Sequence, residues 1–148
     1  MYKNIMVAID DSETSRCALA EAKHIAKTSQ AKLYIVHVVD EVLLSMHGHA
    51  MIDMGEADSA ISNLRRAGQS LLDSAMKDAG DINAEALLLE AQKRRISETL
   101  ADKGKELNID LIVIGRHGQR GLATLILGSV AEQLAKISDA SVLLVRKH

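Results

Sequence analysis

The sequence predicts an α/β fold: an open, doubly wound (Rossmann-like), five-stranded parallel sheet with helices on both faces. The main observation is that short apolar runs alternate with longer amphipathic stretches along the whole chain. Strands separated by helices pair in parallel through right-handed crossovers. A length of 148 residues, 47% of them hydrophobic, suits one domain with a sizeable core. We therefore expect a single domain over residues 1–148.

The first strand and helix are predicted at the start of the chain. The segment "KNIMVAID" is apolar from Ile5 to Ile9, as in a strand covered on both faces. The segment "DSETSRCALAEAKHIAKTSQ" follows, and Ser12 is a suitable N-cap for a helix there. The apolar residues at helical spacing in that segment are Ala18, Ala22, Ile25 and Ala26.

The second strand is predicted in "KLYIVHVV", which is rich in β-branched and aromatic residues. Residues 40–56 have no clean period and are predicted as a long connection, a feature that is often functional. A long amphipathic helix is expected from Asp58, and Gly80 is a natural residue to end it.

The second half of the chain continues the alternation. The predicted strands are "INAEALLLE", "DLIVIG" and "SVLLV". The predicted helices between them are "RISETLADKGKEL" and "SVAEQLAKIS". Ligands of such sheets bind beyond the carboxyl ends of the strands, near the point where the strand order reverses.

Composition argues against several classes of function. The formal net charge is −2 and the only aromatic residues are two tyrosines, which disfavours nucleic-acid binding. No window approaches the roughly 18 apolar residues of a membrane span, and the N-terminal apolar run is too short for a signal peptide. Cys17 is the single cysteine, which fits a reducing compartment. We expect a cytoplasmic protein without membrane insertion.

A glycine-rich stretch, "GRHGQRGLATLILGS", follows the fourth predicted strand. Gly115 closes the strand, and Gly128 and Ser129 begin the next helix. The free N–H groups of a helix N-terminus favour a phosphate, and Gly118 could turn the loop so that more N–H groups face it. Arg116, His117 and Arg120 add basic groups. The stretch therefore indicates a polyphosphate site.

Plain turn geometry is the alternative explanation of these glycines, since short glycine motifs often occur without a ligand. The spacing fits neither common phosphate motif. No Gly-Lys-Ser/Thr follows, which excludes a Walker A loop. The first strand leads into "DDSETS" rather than into Gly-x-Gly-x-x-Gly, which excludes the dinucleotide fingerprint.

The pattern Gly115-x2-Gly118-x9-Gly128-Ser129 resembles the nucleotide-binding motif of the universal stress protein family, in its ATP-binding branch. The resemblance extends over essentially the whole chain. "KNIMVAIDDSETS" looks like the opening strand and turn of the family, and "LYIVHVVDE" looks like its second strand. "LIVIGRHGQRGLATLILGSVAEQLAKISDASVLLVRK" is similar to its C-terminal block.

The resemblance implies an ATP site, with ADP or AMP as alternative ligands and Mg or Mn bound through the phosphates. It places Asp10 beside the adenine and ribose, and Ala8 where many members carry a proline near the ribose. The Val38 backbone would pair with the adenine edge. The positions that the resemblance places around the ribose and phosphates are Gly115, Gly118, Gly128, Ser129 and Val130, and we add Arg116 and His117 to the site for their basic groups.

The resemblance also implies a homodimer through the edge strand at 141–146. An unidentified protein partner is expected if the protein acts as a regulator. Two departures from the family pattern put local geometry in doubt. Ala140 and Ser141 replace the usual proline before the last strand. The segment "AQKRRIS" lacks the glycine often found there.

Two further questions stay open in the sequence. His47 and His49 lie in the long connection with Asp53 and Glu56 nearby, but solvated histidines are a better interpretation than a metal site. No carboxylate or glutamine is assigned by spacing to an attacking water, which phosphoryl transfer needs, and His117 is the only candidate base. We therefore expect a nucleotide-dependent regulator, with a slow ATPase or phosphoryl-transfer enzyme as the alternative.

Overall fold

The computed structural model describes residues 1–41, 54–116 and 128–147. Within these ranges strands and helices alternate. The elements are β1 (Asn4–Ala8), α1 (Glu13–Ser29), β2 (Lys32–Val39), α2 (Met54–Ala79), β3 (Ala84–Glu90), α3 (Ile96–Glu106), β4 (Leu111–Gly115), α4 (Ser129–Ile137) and β5 (Ser141–Val145).

The strands form one parallel sheet in the order β3-β2-β1-β4-β5. The central strand is β1, where Val7 pairs with Ile35 of β2 on one side and with Val113 of β4 on the other. The strand order runs outward from β1 to β3 and then resumes on the other side of β1 with β4. The reversal therefore lies between β1 and β4, and this is where a doubly wound sheet opens a crevice for ligands.

Helices cover both faces of the sheet. α1 and α2 pack on one face, where Ala22 and Leu72 are buried together with Ile35. α3 and α4 pack on the other face, where Leu100 and Leu134 are buried. The predicted fold class, including its five parallel strands and its two helical layers, is confirmed.

The long helix differs from its prediction at one end. α2 begins at Met54 rather than Asp58, and it ends at Ala79 before Gly80, which has a φ of 64°. Arg65 of α2 forms an ion pair with Glu90, the last residue of β3. The start of α2 therefore lies near the carboxyl edge of the sheet. Gly55 lies in the first turn, and glycine disfavours a helix, so helix propensity does not extend the predicted helix back past Asp58.

None of the helices in the described ranges is long and apolar enough to cross a membrane.

Candidate functional site

The predicted site residues belong to the carboxyl edge of the sheet. Because all the strands are parallel, the segments after β1, β2 and β4 leave the sheet at this same edge. The β1–α1 turn leads to one face and the chain after β4 leads to the other. These two segments therefore flank the point where the strand order reverses.

The β1–α1 turn is held by a small network around Asp10. The Asp10 carboxylate accepts from the Ser12 N–H at 2.8 Å and from the Ser12 hydroxyl. The Asp10 N–H donates to Ser15 Oγ at 2.8 Å, and Ser15 is buried. Ser12 Oγ in turn accepts from the Ser15 N–H at 3.2 Å, which confirms Ser12 as the N-cap of α1. Asp10 is therefore fixed at the carboxyl edge of the sheet, next to the end of β1.

Gly115 ends β4 at a point where α1 approaches the strand closely. A Cβ added at Gly115 would lie 2.9 Å from Thr14 Oγ1 and 3.0 Å from the Thr14 carbonyl carbon. Because one of these atoms belongs to the backbone, a side chain at position 115 would displace the first turn of α1. Tight packing is thus one definite reason for this glycine.

Arg116 connects three segments through its backbone. Its N–H donates to the Val145 carbonyl of β5 at 2.8 Å. Its carbonyl accepts from the Gly128 N–H, also at 2.8 Å. Arg116 and Gly128 are therefore in direct contact, and the N-terminus of α4 lies directly beside the end of β4.

The N-terminus of α4 suits an anion. Gly128 occupies the N-cap position and supplies no side chain to cap the helix, and Ser129 is the first helical residue. The Gly128 carbonyl accepts from the Glu132 N–H at 2.9 Å, so the first turn is regular. The N–H groups of Ser129 and Val130 thus belong to the positive end of the helix, where a phosphate is favoured.

A buried contact sets the position of α4 relative to α3. The Ser97 hydroxyl, which is 1% exposed, donates to Gln133 Oε1 at 2.8 Å. Gln133 lies one turn after Ser129, so this bond also fixes the rotation of the helix end that faces the crevice.

The carboxyl end of β2 contributes Val38. The paired register of β1 and β2 ends at Ala8 and Val36, and Ile9 continues it only by donating its N–H to the Val36 carbonyl at 2.8 Å. Val38 lies two residues further along β2, on the edge that faces β1. Its backbone therefore stands where the two strands separate.

An ion pair offsets one of the acidic charges near the β1–α1 turn. Glu13, in the first turn of α1, accepts a hydrogen bond from the Lys147 ammonium. This bond and the positive charge of Lys147 lower the pKa of the Glu13 carboxyl below its ordinary value. The same contact raises the pKa of the Lys147 ammonium. Both groups are therefore charged at neutral pH, and the negative charge of Glu13 is offset where an anion would bind.

The structure brings most of the sequence-predicted site residues to this edge. They are Ala8, Asp10, Val38, Gly115, Arg116, Gly128, Ser129 and Val130. His117 and Gly118 lie outside the described residues, as do His47, His49 and Asp53. Among the residues that the structure describes, no group of three or more His, Cys, Asp or Glu side chains could hold a metal ion.

Sequence reasoning missed two side chains of this region. Ser15 fixes the backbone of Asp10, and His37 contacts the carbonyl of Ile9 at 2.8 Å. A signal existed for His37, because it is the only basic residue between Leu33 and Val39, where every other residue except Tyr34 is aliphatic. No comparable signal marks Ser15 among the polar residues of "DDSETS".

Comparison with known proteins gives a consistent result. Residues 1–146 match the family model of the Universal stress protein family. Universal stress protein YxiE of Bacillus subtilis is 33% identical over 149 residues, which covers 99% of this chain and 100% of that protein.

Solved structures share the fold. Protein MJ0577 of Methanocaldococcus jannaschii has a TM-score of 0.84 at 23% identity, with 100% of this chain and 98% of that chain covered. A protein from Archaeoglobus fulgidus, solved in complex with dAMP, has a TM-score of 0.63 at 21% identity, with 97% and 98% covered.

Proposed function

The chain belongs to the universal stress protein family, and we propose that it is an ATP-binding regulator of the stress response. The site would lie at the carboxyl edge, between the β1–α1 turn and the N-terminus of α4. The observation that carries this proposal is the hydrogen bond between the Gly128 N–H and the Arg116 carbonyl. It sets a helix N-terminus without a side-chain cap directly beside the switch point of the sheet.

The N-terminus of α4 suits the phosphates of a nucleotide, whereas the β1–α1 turn and the end of β2 suit its ribose and base. The amides of Ser129 and Val130 and the Ser129 hydroxyl would hold phosphates, whose charge the helix end favours. Asp10 would accept from ribose hydroxyls, and the Val38 backbone would meet the base. The A. fulgidus relative in complex with dAMP supports an adenine nucleotide as the ligand class.

A divalent cation would bind through the phosphates. Gly128, Ser129 and Val130 supply N–H groups and a hydroxyl at the start of α4, and these donors fit the phosphates rather than a metal, while the first-turn carboxylate of Glu132 pairs with Lys136. Mg or Mn would then neutralise the phosphate oxygens that the protein leaves exposed. The chain's own residues would bind and orient the nucleotide.

Such a regulator would act through surfaces that bind other protein molecules. β5 forms one edge of the sheet, and we propose that it pairs with β5 of a second copy to give a homodimer. A further protein partner would recognise the nucleotide-bound state. Slow hydrolysis of ATP at the same site is compatible with this role.

The test is mass spectrometry of nucleotide released from the purified protein, followed by calorimetric titration with ATP and Mg. We expect an adenine nucleotide to be released, or ATP to bind with a Kd in the micromolar range. A protein that is empty and ignores ATP, ADP and AMP would refute the proposal. A turnover of about 1 per second or faster would instead indicate an enzyme.

A further inference from the structure

His37 stands at the carboxyl end of β2, beside the place where β1 and β2 separate. Its Nδ1 lies 2.8 Å from the carbonyl oxygen of Ile9. A carbonyl only accepts hydrogen bonds, so Nδ1 carries a proton and donates it. The ring thereby links β2 to the residue that immediately precedes Asp10.

The sheet ladder shows what this bond replaces. Successive residues of a parallel strand direct their backbone groups alternately to the two neighbouring strands. The Val36 carbonyl accepts from Ile9, the residue after β1, whereas the Val39 carbonyl accepts from Ala91, the residue after β3. Val38 therefore directs its N–H toward β1, and a continued ladder would join that N–H to the Ile9 carbonyl.

The ladder does not continue. The register of β1 and β2 ends at Ala8 and Val36, and in the described segment 1–41 no hydrogen bond joins the Val38 N–H to the Ile9 carbonyl. A backbone N–H in the interior of a protein is rarely left without a partner, since that costs about as much as a lost hydrogen bond. The Val38 N–H is therefore a hydrogen-bond donor that the ladder between β1 and β2 does not use.

We propose that His37 is a positioning residue for the base: its Nδ1–H occupies the Ile9 carbonyl in place of the Val38 amide and leaves that amide to bind an adenine edge. This role rests on the proposed nucleotide binding. Ile9 keeps a satisfied carbonyl, so Asp10 stays in position. The Val38 amide then points into the gap between the strands.

Helix α2 holds the imidazole in this orientation. A Cβ added at Gly68 would lie 2.7 Å from Cδ2 of His37 and 2.9 Å from Cδ1 of Leu88. The absence of a side chain at position 68 therefore lets α2 lie directly against the ring. A substitution there would push the ring away from Ile9 without touching the nucleotide site itself.

The chemistry of the donor selects among purines. A backbone N–H donates to the N1 of adenine, which has a lone pair. The N1 of guanine carries a hydrogen and is itself a donor. It cannot accept a hydrogen bond from the Val38 N–H, so one buried polar group would be left unpaired. The site should therefore prefer ATP to GTP, and His37 should be required for that preference.

The experiment compares His37→Leu with His37→Asn, using ATP–Mg and GTP–Mg titrations of the full chain. Leu keeps most of the volume but removes the donor, whereas the Asn amide restores an N–H close to the position of Nδ1. We expect His37→Leu to weaken ATP binding about tenfold and to reduce the preference for ATP over GTP. His37→Asn should stay within about threefold of the wild type in both respects.

A second pair of variants distinguishes the proposed role of His37 from a general loss of folding. Gly68→Ala should reproduce the loss of ATP affinity. Its control is Gly104→Ala in α3, where a Cβ would meet its nearest neighbour, Ile112 Cδ1, at an ordinary 3.6 Å and should leave ATP affinity unchanged. In addition, 15N NMR of the free wild-type protein should show His37 protonated at Nδ1.

The outcomes separate the two proposals. If the wild type binds ATP and His37→Leu binds it with unchanged affinity and selectivity, the role of His37 is wrong and nucleotide binding stands. If the wild type binds no adenine nucleotide, both fail together. An NMR spectrum that shows His37 protonated only at Nε2 overturns the role of His37, whether or not any variant folds.

Discussion

Gly115 shows how a single residue can serve both packing and binding. Its missing side chain is required by the first turn of α1, because a Cβ would come within 3.0 Å of the Thr14 backbone. The same close approach brings the end of β4 next to the β1–α1 turn that holds Asp10, on the side where the proposed ligand would bind. Sequence reasoning could identify this glycine, but Thr14 is distant along the chain, so the contact required the structure.

Gly115→Ala should destabilise the fold by about 1–3 kcal/mol, because the added Cβ must displace α1 or β4. Denaturant unfolding measures this change. Gly104→Ala is the matched control, since its Cβ has ordinary space and alanine is the better helix former. We expect the control to be neutral or to stabilise the fold by up to about 1 kcal/mol. Equal stability of Gly115→Ala and the wild type would contradict the packing role.

Asp110 ties the start of β1 to the start of β4. Its carboxylate accepts from the N–H groups of Asn4 and Lys3, at 2.8 Å and 2.7 Å. These two bonds lower the pKa of the Asp110 carboxyl below its ordinary value, with the Asn4 bond as the largest cause. The bonds favour the charged form, so their stabilisation is present at neutral pH and is lost as the pH falls through the folded-state pKa.

Asp110→Asn should therefore cost about 1 kcal/mol at pH 7, a value kept small by the exposure of the carboxylate. The difference from the wild type should shrink below about pH 4, where the carboxyl of the unfolded chain becomes protonated. Unfolding free energies across the acid range test this. Asp139→Asn is the control, because Asp139 forms an exposed 3.4 Å ion pair with Lys105 and should change stability by less than about 0.5 kcal/mol. A pH-independent loss in Asp110→Asn would be inconsistent with the linkage.

At the scale of elements, the hydrophobic period predicted every strand and helix that the structure describes. The ends of elements were predictable where a local chemical signal exists, as at Ser12 and Gly80. The start of α2 was not, because Gly55 in its first turn disfavours a helix and residues 40–56 have no clean period. Pairwise positioning of helices, such as the Ser97–Gln133 contact, also has no local signature.

The Ser97–Gln133 bond should couple α3 to α4. A double-mutant cycle with Ser97→Ala and Gln133→Ala should give a coupling energy of about 0.5–1.5 kcal/mol in unfolding measurements, because the bond is buried at Ser97. The exposed pair of Lys136 and Glu132, 3.2 Å apart within α4, is the comparison and should couple by less than about 0.5 kcal/mol. A Ser97–Gln133 coupling no larger than that would mean that the contact does not fix α4.

At the scale of the whole molecule, the alternation of strands and helices was sufficient to predict the parallel sheet and its two helical layers. The strand order then places the switch point between β1 and β4. The candidate site was predictable in outline, since most of its residues follow strands at one edge. The replacement of a ladder bond by His37 was not predictable, because it depends on where two strands separate.

The proposed dimer edge can be tested without disturbing the sheet. The N–H of Ser141 and the carbonyl of Val145 bond toward β4, so the alternate residue Val142 directs its N–H to the open edge. Val142→Pro removes that donor, and proline is tolerated in edge strands. Light scattering should give about twice 16.0 kDa for the wild type and 16.0 kDa for the variant. A variant that remains dimeric would exclude pairing through β5.

The central claim is that a nucleotide binds at the carboxyl edge, with its phosphates at α4 and its base at β2. The most direct measurement is the change in backbone amide NMR shifts when ATP–Mg is added to the 15N-labelled protein. We expect the largest changes at Asp10, Val38, Gly115, Ser129 and Val130. Changes confined to the opposite edge, around Gly104 and Asn108, or no changes at saturating ATP, would contradict the account.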